Sequence, residues 1–172
     1  MECLIGMVGK DFVLTAADTS AARSITVMKS TEDKSRDLNK NVRFYEIKNG
    51  IELTPKAAAT FTRKELATSL RSRHPYAVNL LIAGYDVTAL SSQLYWIDYL
   101  GSSVNVPFAA HGYGAYYTLS LLDRYHRPDI SLDEAKVLVK KCIDELKSRF
   151  IINLADFKIK VTDKDGIREI EI

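Results

Sequence analysis

Apolar and polar positions alternate along this chain in runs that mark strands first and helices later. Cys3 to Val8 and Phe12 to Ala17 are apolar runs parted by Gly9-Lys10-Asp11, the pattern of a β-hairpin. Ser24 to Met28 predicts a third, shorter strand, and the charged stretch Lys29 to Asn41 predicts a connection. Val42 to Ile47 fits either the last turns of a helix closed by Asn49-Gly50 or a half-buried strand, since periodicity does not decide over so few residues. Thr54-Pro55 is an N-cap followed by proline at the first helical position. Ala59, Leu66 and Leu70 then define one apolar face of a helix ending near His74-Pro75. Tyr76 to Ala83 and Leu94 to Leu100 predict an antiparallel pair across a loop at Tyr85 to Gln93. Ala115 to Tyr125 reads as a helix stopped by Arg127-Pro128, and Ser131 with Glu134 forms a capping box for the last helix. The stripe of that helix is Ala135, Leu138, Cys142, Leu146 and Phe150. Phe157 to Thr162 and Ile167 to Ile172 flank Asp163-Lys164-Asp165-Gly166 as a closing hairpin.

Strand runs grouped with helix runs predict an α+β layered domain, not alternating βαβ units. The 172 residues fit one domain, 1–172, and 47% hydrophobic with 27% charged residues is ordinary for a soluble globular protein. The formal charge of +2 comes from basic residues scattered among acids, as in Glu32-Asp33-Lys34, so neither a nucleic-acid nor a membrane-surface partner is expected. The start of the chain lacks the basic region and cleavage site of a signal peptide, and no apolar run reaches the roughly 18 residues of a membrane span. Cys3 and Cys142 lie far apart without CxxC spacing and read as buried free thiols of a reducing compartment. A location in the cytoplasm and nucleus follows as an expectation.

Candidate chemistry is thin. His74, His111 and His126 are isolated and lack HExxH spacing, so no metal is expected. Gly112-Tyr113-Gly114 lacks the lysine and further glycines of a phosphate cradle. Asp163 to Gly166 lacks the distal glutamate of a calcium loop. No cofactor is expected either.

Several stretches nevertheless resemble one known family. The opening strand with Gly6, the strand end Thr15-Ala16-Ala17-Asp18-Thr19, Lys34, the Gly112-Tyr113-Gly114 entry to a helix and the closing hairpin are similar to proteasome β subunits. Leu70 to Tyr76, Leu81 to Asp86, Pro107 to Gly114 and Leu121 to Tyr125 resemble the type-2 members. The resemblance implies a four-layer αββα sandwich of the N-terminal nucleophile hydrolase type. In active members a threonine freed by propeptide cleavage attacks the peptide with its own amine as base, tuned by an aspartate and a lysine. Asp18 and Lys34 match those two positions, but the nucleophile position, four residues before Gly6, holds Glu2. A carboxylate offers no hydroxyl to activate. Only Met1 precedes it, so no propeptide is expected. The family's supporting serines read Gly112-Tyr113-Gly114-Ala115 and Phe150-Ile151-Ile152-Asn153 here. Cys3 would need cleavage after Glu2 to serve instead, and it reads more simply as a packed strand residue.

No catalytic, cofactor-binding or metal-binding residue is therefore expected. The resemblance implies a non-catalytic structural subunit of the proteasome core particle. Its partners would be neighbouring β subunits, α-ring subunits and the opposite β ring, around a chamber for ATP- and ubiquitin-dependent protein degradation. Alternatives are an active N-terminal nucleophile peptidase or an unstable truncated isoform that does not assemble.

One departure from the family is large. After Lys34 its members continue into a central strand, a glycine turn and the front of a long helix. Here Leu38-Asn39-Lys40-Asn41 runs straight into Val42-Arg43-Phe44-Tyr45, similar to the tail of that helix. About fifteen to twenty residues are missing by typical element lengths. Each buried aliphatic side chain contributes about 1.5–3 kcal/mol, against a domain margin of about 5–15 kcal/mol. The gap is a splice or gene-model variant, a set of omitted residues, or a place where Val42 to Ile47 rearranges as a strand.

Overall fold

A computed structural model describes residues 3–19, 21–23, 26–29, 47–48, 50, 53–150 and 156–172, the segments 21–23 and 26–29 by their backbone only. Strand β1 (Cys3–Val8) turns at Gly9 into β2 (Phe12–Asp18), with Leu4 opposite Ala17 and Val8 opposite Val13. The Gly9 N–H donates to the Phe12 carbonyl at 2.8 Å and closes the turn. β3 (Ala21–Arg23) and β4 (Thr26–Lys29) form a small hairpin with a register shift at Ala21/Ala22. The strand expected at Ser24 to Met28 is found as β4, and β3, which the pattern did not predict, pairs with it.

Helix α1 (Pro55–Ser69) starts as its sequence predicts, with Thr54 Oγ1 accepting the Ala57 N–H at 3.2 Å. Its last turn closes where the Leu70 N–H donates to the Leu66 carbonyl, ahead of the Pro75 stop. β5 (Leu80–Asp86) and β6 (Ser91–Ile97) pair from Leu80–Ile97 to Asp86–Ser91. The connecting turn is only 87–90, shorter than the expected Tyr85 to Gln93. Asp86 Oδ1 accepts the N–H groups of Thr88 and Ala89, both at 2.9 Å, and so holds a tight turn with Leu90 at φ 48°. Tyr76 to Asn79 lie outside the strand, and Leu100 lies beyond it in a turn. The pattern did not predict β7 (Ser103–Asn105) or β8 (Phe108–Gly112), which are too short to show a period.

Helices α2 (Ala115–Tyr125) and α3 (Leu132–Arg149) follow the expected bounds closely. At α3 the Ser131 N–H donates to Glu134 Oε2 at 3.0 Å and the Glu134 N–H donates back to Ser131 Oγ at 3.4 Å, the reciprocal capping box. β9 (Phe157–Asp163) and β10 (Gly166–Ile170) close the chain as a hairpin.

Among the described residues, besides the β3-β4 pair, two larger antiparallel sheets are ordered β10-β9-β2-β1-β8 and β5-β6-β7. They pack face to face, with α1 outside the three-stranded sheet and α2 with α3 outside the five-stranded one. The layers run α, β, β, α, the sandwich that the resemblance implies. Ile5, Met7, Leu14, Leu138, Cys142 and Leu146 belong to the core between the large sheet and α3. Val13, Leu94 and Ala109 pack between the sheets, with Leu81 and Trp96 against them. A Cβ at Gly6 would lie 3.1 Å from both methyl carbons of Leu94, so this glycine lets the sheets approach.

Among the described residues β5 is the margin of a sheet with only three strands. The strand reading of Val42 to Ile47 lies outside the described residues except at its last position, and there Ile47 and Lys48 carry helical backbone.

Candidate functional site

The resemblance directs attention to the start of β1, where β2 ends beside it. Register does the positioning: with Leu4 opposite Ala17, the next pair is Cys3 and Asp18. Asp18 is fully buried, and its Oδ1 accepts the Cys3 N–H at 2.9 Å. That bond fastens the start of β1 to the end of β2, the work of a structural anchor. Thr19, also buried, fastens the same corner to the front of β9: its N–H and Oγ1 donate to the Asp156 carbonyl at 3.0 and 3.1 Å.

Cys3 is fully buried and lies under the first turn of α2, where a Cβ at Gly114 would meet its Sγ at 2.9 Å. Gly114 is thus a glycine because the helix start sits directly on β1. The thiol is packed, with no exposed surface from which to attack a substrate. Around it, Gly112 takes φ 74° and Tyr113 is exposed. The Thr118 hydroxyl is turned inward, donating to the Gly114 carbonyl at 2.9 Å. Glu2, Lys34 and Asn153 lie outside the described residues.

Pattern reasoning missed His111. It sits on β8 opposite Leu4 and is 7% exposed. Its Nε2 lies 3.1 Å from the Leu80 carbonyl of the other sheet, and its ring stacks on Trp96 with centroids 4.9 Å apart. Burial lowers its pKa below the ordinary histidine value, outweighing the backbone carbonyls of Leu80 and Ile97 and the charge of Asp98, which act the other way. His111 is therefore a clip between the two sheets at the site's end of the sandwich. A histidine within a small-residue run, Ala109-Ala110-His111-Gly112, was the available signal. His126 Nε2 lies 2.7 Å from the Val8 carbonyl, a separate tie, and His74 is exposed on a turn.

Cys142 lies in the core of α3 as its stripe predicts, and burial pushes its thiol up to about 12. The Asp163 to Gly166 loop is a hairpin turn in which Arg168 pairs with the Asp163 carboxylate. Among the described residues no cluster of three metal-binding side chains occurs, and no helix is long and apolar enough to cross a membrane.

Comparisons with known proteins agree with this architecture. The model of the "Proteasome subunit" family matches residues 35–162. The chain is 46% identical over 194 residues to the probable proteasome subunit beta type-4 of Schizosaccharomyces pombe, covering 100% of both chains. It is 47% identical over 191 residues to proteasome subunit beta type-2-B of Arabidopsis thaliana, covering 98% of this chain and 95% of that one. It is 38% identical over 193 residues to proteasome subunit beta type-4 of Saccharomyces cerevisiae, with 99% and 98% covered. An alignment of 194 positions exceeds 172 residues by 22, so at least 22 positions of the fission-yeast relative have no counterpart here. That is somewhat more than the fifteen to twenty inferred from element lengths. With matching layers, full-length similarity and the family model together, the chain belongs to the proteasome subunit family as a β subunit of the core particle.

Proposed function

We propose that this β subunit is non-catalytic and serves the particle by shape. The observation that carries the proposal is Glu2 at the position where active members place their nucleophile. Aspartate is retained at the family position, but Asp18 is engaged with the backbone of Cys3, and the neighbouring thiol is sealed beneath Gly114. Without an alkoxide or thiolate to form an acyl intermediate, the carboxylate has no nucleophile to assist. A carboxylate fastening a strand start gives it a structural role.

The subunit's contribution is then surface. It occupies one place in a β ring, meeting β neighbours, an α-ring subunit and the opposite β ring, and so helps enclose the chamber in which other subunits cut proteins destined by ATP- and ubiquitin-dependent steps. It works where the particle does, in cytoplasm and nucleus. Rings of this kind need extensive, shape-matched interfaces, and large apolar side chains left exposed on the single chain, such as Tyr116, Leu90 and Tyr76, are suited to them.

Core particles purified from cells expressing a tagged chain test both halves. The chain is expected in the particle at one copy per β ring. Treatment with an electrophilic probe for N-terminal nucleophiles, followed by peptide mapping, is expected to label other subunits and leave this one unlabelled. An adduct on residue 2 or 3 during turnover of a fluorogenic peptide overturns the non-catalytic reading, and absence of the chain from the particle overturns the structural role.

A further inference from the structure

Along α1 the buried and exposed positions separate by helical spacing. Pro55, Ala58, Ala59, Thr62 and Leu66 are buried on the side that meets the three-stranded sheet, whereas Lys56, Thr60, Arg63 and Lys64 recur on the solvent side. The segment after the helix is basic too, with Arg71 and Arg73 exposed. Its backbone is tied to the helix end: the Arg71 N–H donates to the Thr68 carbonyl at 3.3 Å, and the Tyr76 N–H donates to Ser69 Oγ at 3.1 Å. From residue 53 to residue 79 the chain therefore exposes five cations against one carboxylate, Glu65.

The fold itself gives these charges no work. None of the five has an ion-pair partner among the described residues, whereas in the other helical layer Arg127 pairs with Glu134, Lys136 with Asp133 and Arg149 with Glu145. No carboxylate stands three or four residues from Arg63 or Lys64, where it would support the helix. Lys56 lies in a first turn that holds no acid, at the positive end of the helix dipole, the end that disfavours a cation.

We infer that the outer face of α1, with the segment that follows it to Val78, docks an acidic surface of a different subunit of the core particle. The inference rests on assembly of the chain into the particle, as proposed above. Charge selects the occupant: guanidinium groups such as those of Arg63, Arg71 and Arg73 take carboxylates through paired hydrogen bonds. Leu70, Tyr76 and Val78, exposed by 41%, 60% and 43%, lie along the same segment. Arginine mixed with tyrosine and aliphatic side chains is the composition of a protein interface and not of a groove for a phosphate backbone. A second copy of this chain is a poor match, because Asp129, Asp133, Glu134, Glu145, Asp163 and Glu169 are already paired within it.

The test uses the full chain expressed in cells, with core particles purified through another subunit. Acetylation of Lys56 and Lys64 by an amine-reactive ester, read by mass spectrometry, is expected to fall about ten-fold in the particle relative to the free chain. A carbodiimide, which joins amines only to carboxylates in contact, is expected to link Lys56 or Lys64 to an aspartate or glutamate of one other subunit. Arg71→Glu with Arg73→Glu is expected to lower incorporation about ten-fold, and Arg71→Lys with Arg73→Lys to restore most of it. The melting temperature of the charge-reversed chain is expected to stay within a few degrees of the parent. Full acetylation of both lysines in particles that contain the chain overturns the inference and leaves the structural role standing. So do carbodiimide links confined to copies of this chain, or protection that nuclease treatment abolishes. Normal incorporation of the charge-reversed chain overturns it as well. A wild-type chain that never enters the particle overturns both. Should the charge-reversed chain melt early, acetylation and carbodiimide coupling of the wild-type chain decide.

Discussion

At the residue scale the sandwich is held at one end by groups that satisfy one another across elements. His111 joins the sheets, and its depressed pKa sets a pH dependence with a definite sign. The neutral ring is favoured in the folded state, so its contribution is present above the unfolded histidine value near 6.5 and fades as pH falls through the lower folded value. Thermal melting monitored from pH 7.5 to 5 is expected to show falling stability. His111→Gln, which can still donate to Leu80, is expected to flatten that slope while lowering the melting temperature at pH 7.5. Gly114 and Cys3 are coupled by contact. Gly114→Ala is expected to destabilise the protein in denaturant titrations, and Cys3→Ala in the same chain to recover part of the loss, a non-additivity that separated residues would not show. The Cys142 thiol, held near 12 by burial, is expected to resist iodoacetamide at pH 8 until the protein is unfolded.

At the element scale α3 is the best specified piece of the chain. Its capping box satisfies the N–H groups of Ser131 and Glu134, and Ala135, Leu138, Cys142 and Leu146 are buried along one stripe. Ser131→Ala is expected to cost about 1 kcal/mol in chemical denaturation, the usual worth of a lost N-cap. Leu146→Ala, at a fully buried site, is expected to cost about 2–5 kcal/mol through lost transfer energy and the cavity left behind. Both features were legible as spacing, since a helix stripe repeats over many residues. β7 and β8 were not legible, because strands of three and five residues contain too few repeats to signal a period. Their existence depends on partners: β8 is a strand because β1 lies beside it, from Cys3–Gly112 to Met7–Phe108. The turn at 87–90 was misjudged for a similar reason. A side-chain cap from Asp86 shortened a loop that composition alone made look longer.

At the scale of the whole molecule the two sheets are unequally supported. The five-stranded sheet shares a broad apolar core with α2 and α3, whereas α1 meets the three-stranded sheet through a small cluster around Ala59, Leu66, Ile82 and Ile97. Native-state hydrogen exchange is expected to show amides of β1, β2 and β9 protected to the global limit, and those of α1 and β5 opening at lower free energy. Equal protection in both layers would show that the residues absent relative to the yeast protein cost this chain nothing locally.

The sequence by itself determined the long helices, the two hairpins that open and close the chain, and the family. Each of these is written in local spacing or residue identity. Only the tertiary structure decided that Asp18 anchors Cys3, that Gly114 seals the thiol and that His111 clips the sheets. Those features join residues up to more than a hundred positions apart, and proximity of that kind comes from sheet register and layer packing, which no local pattern records.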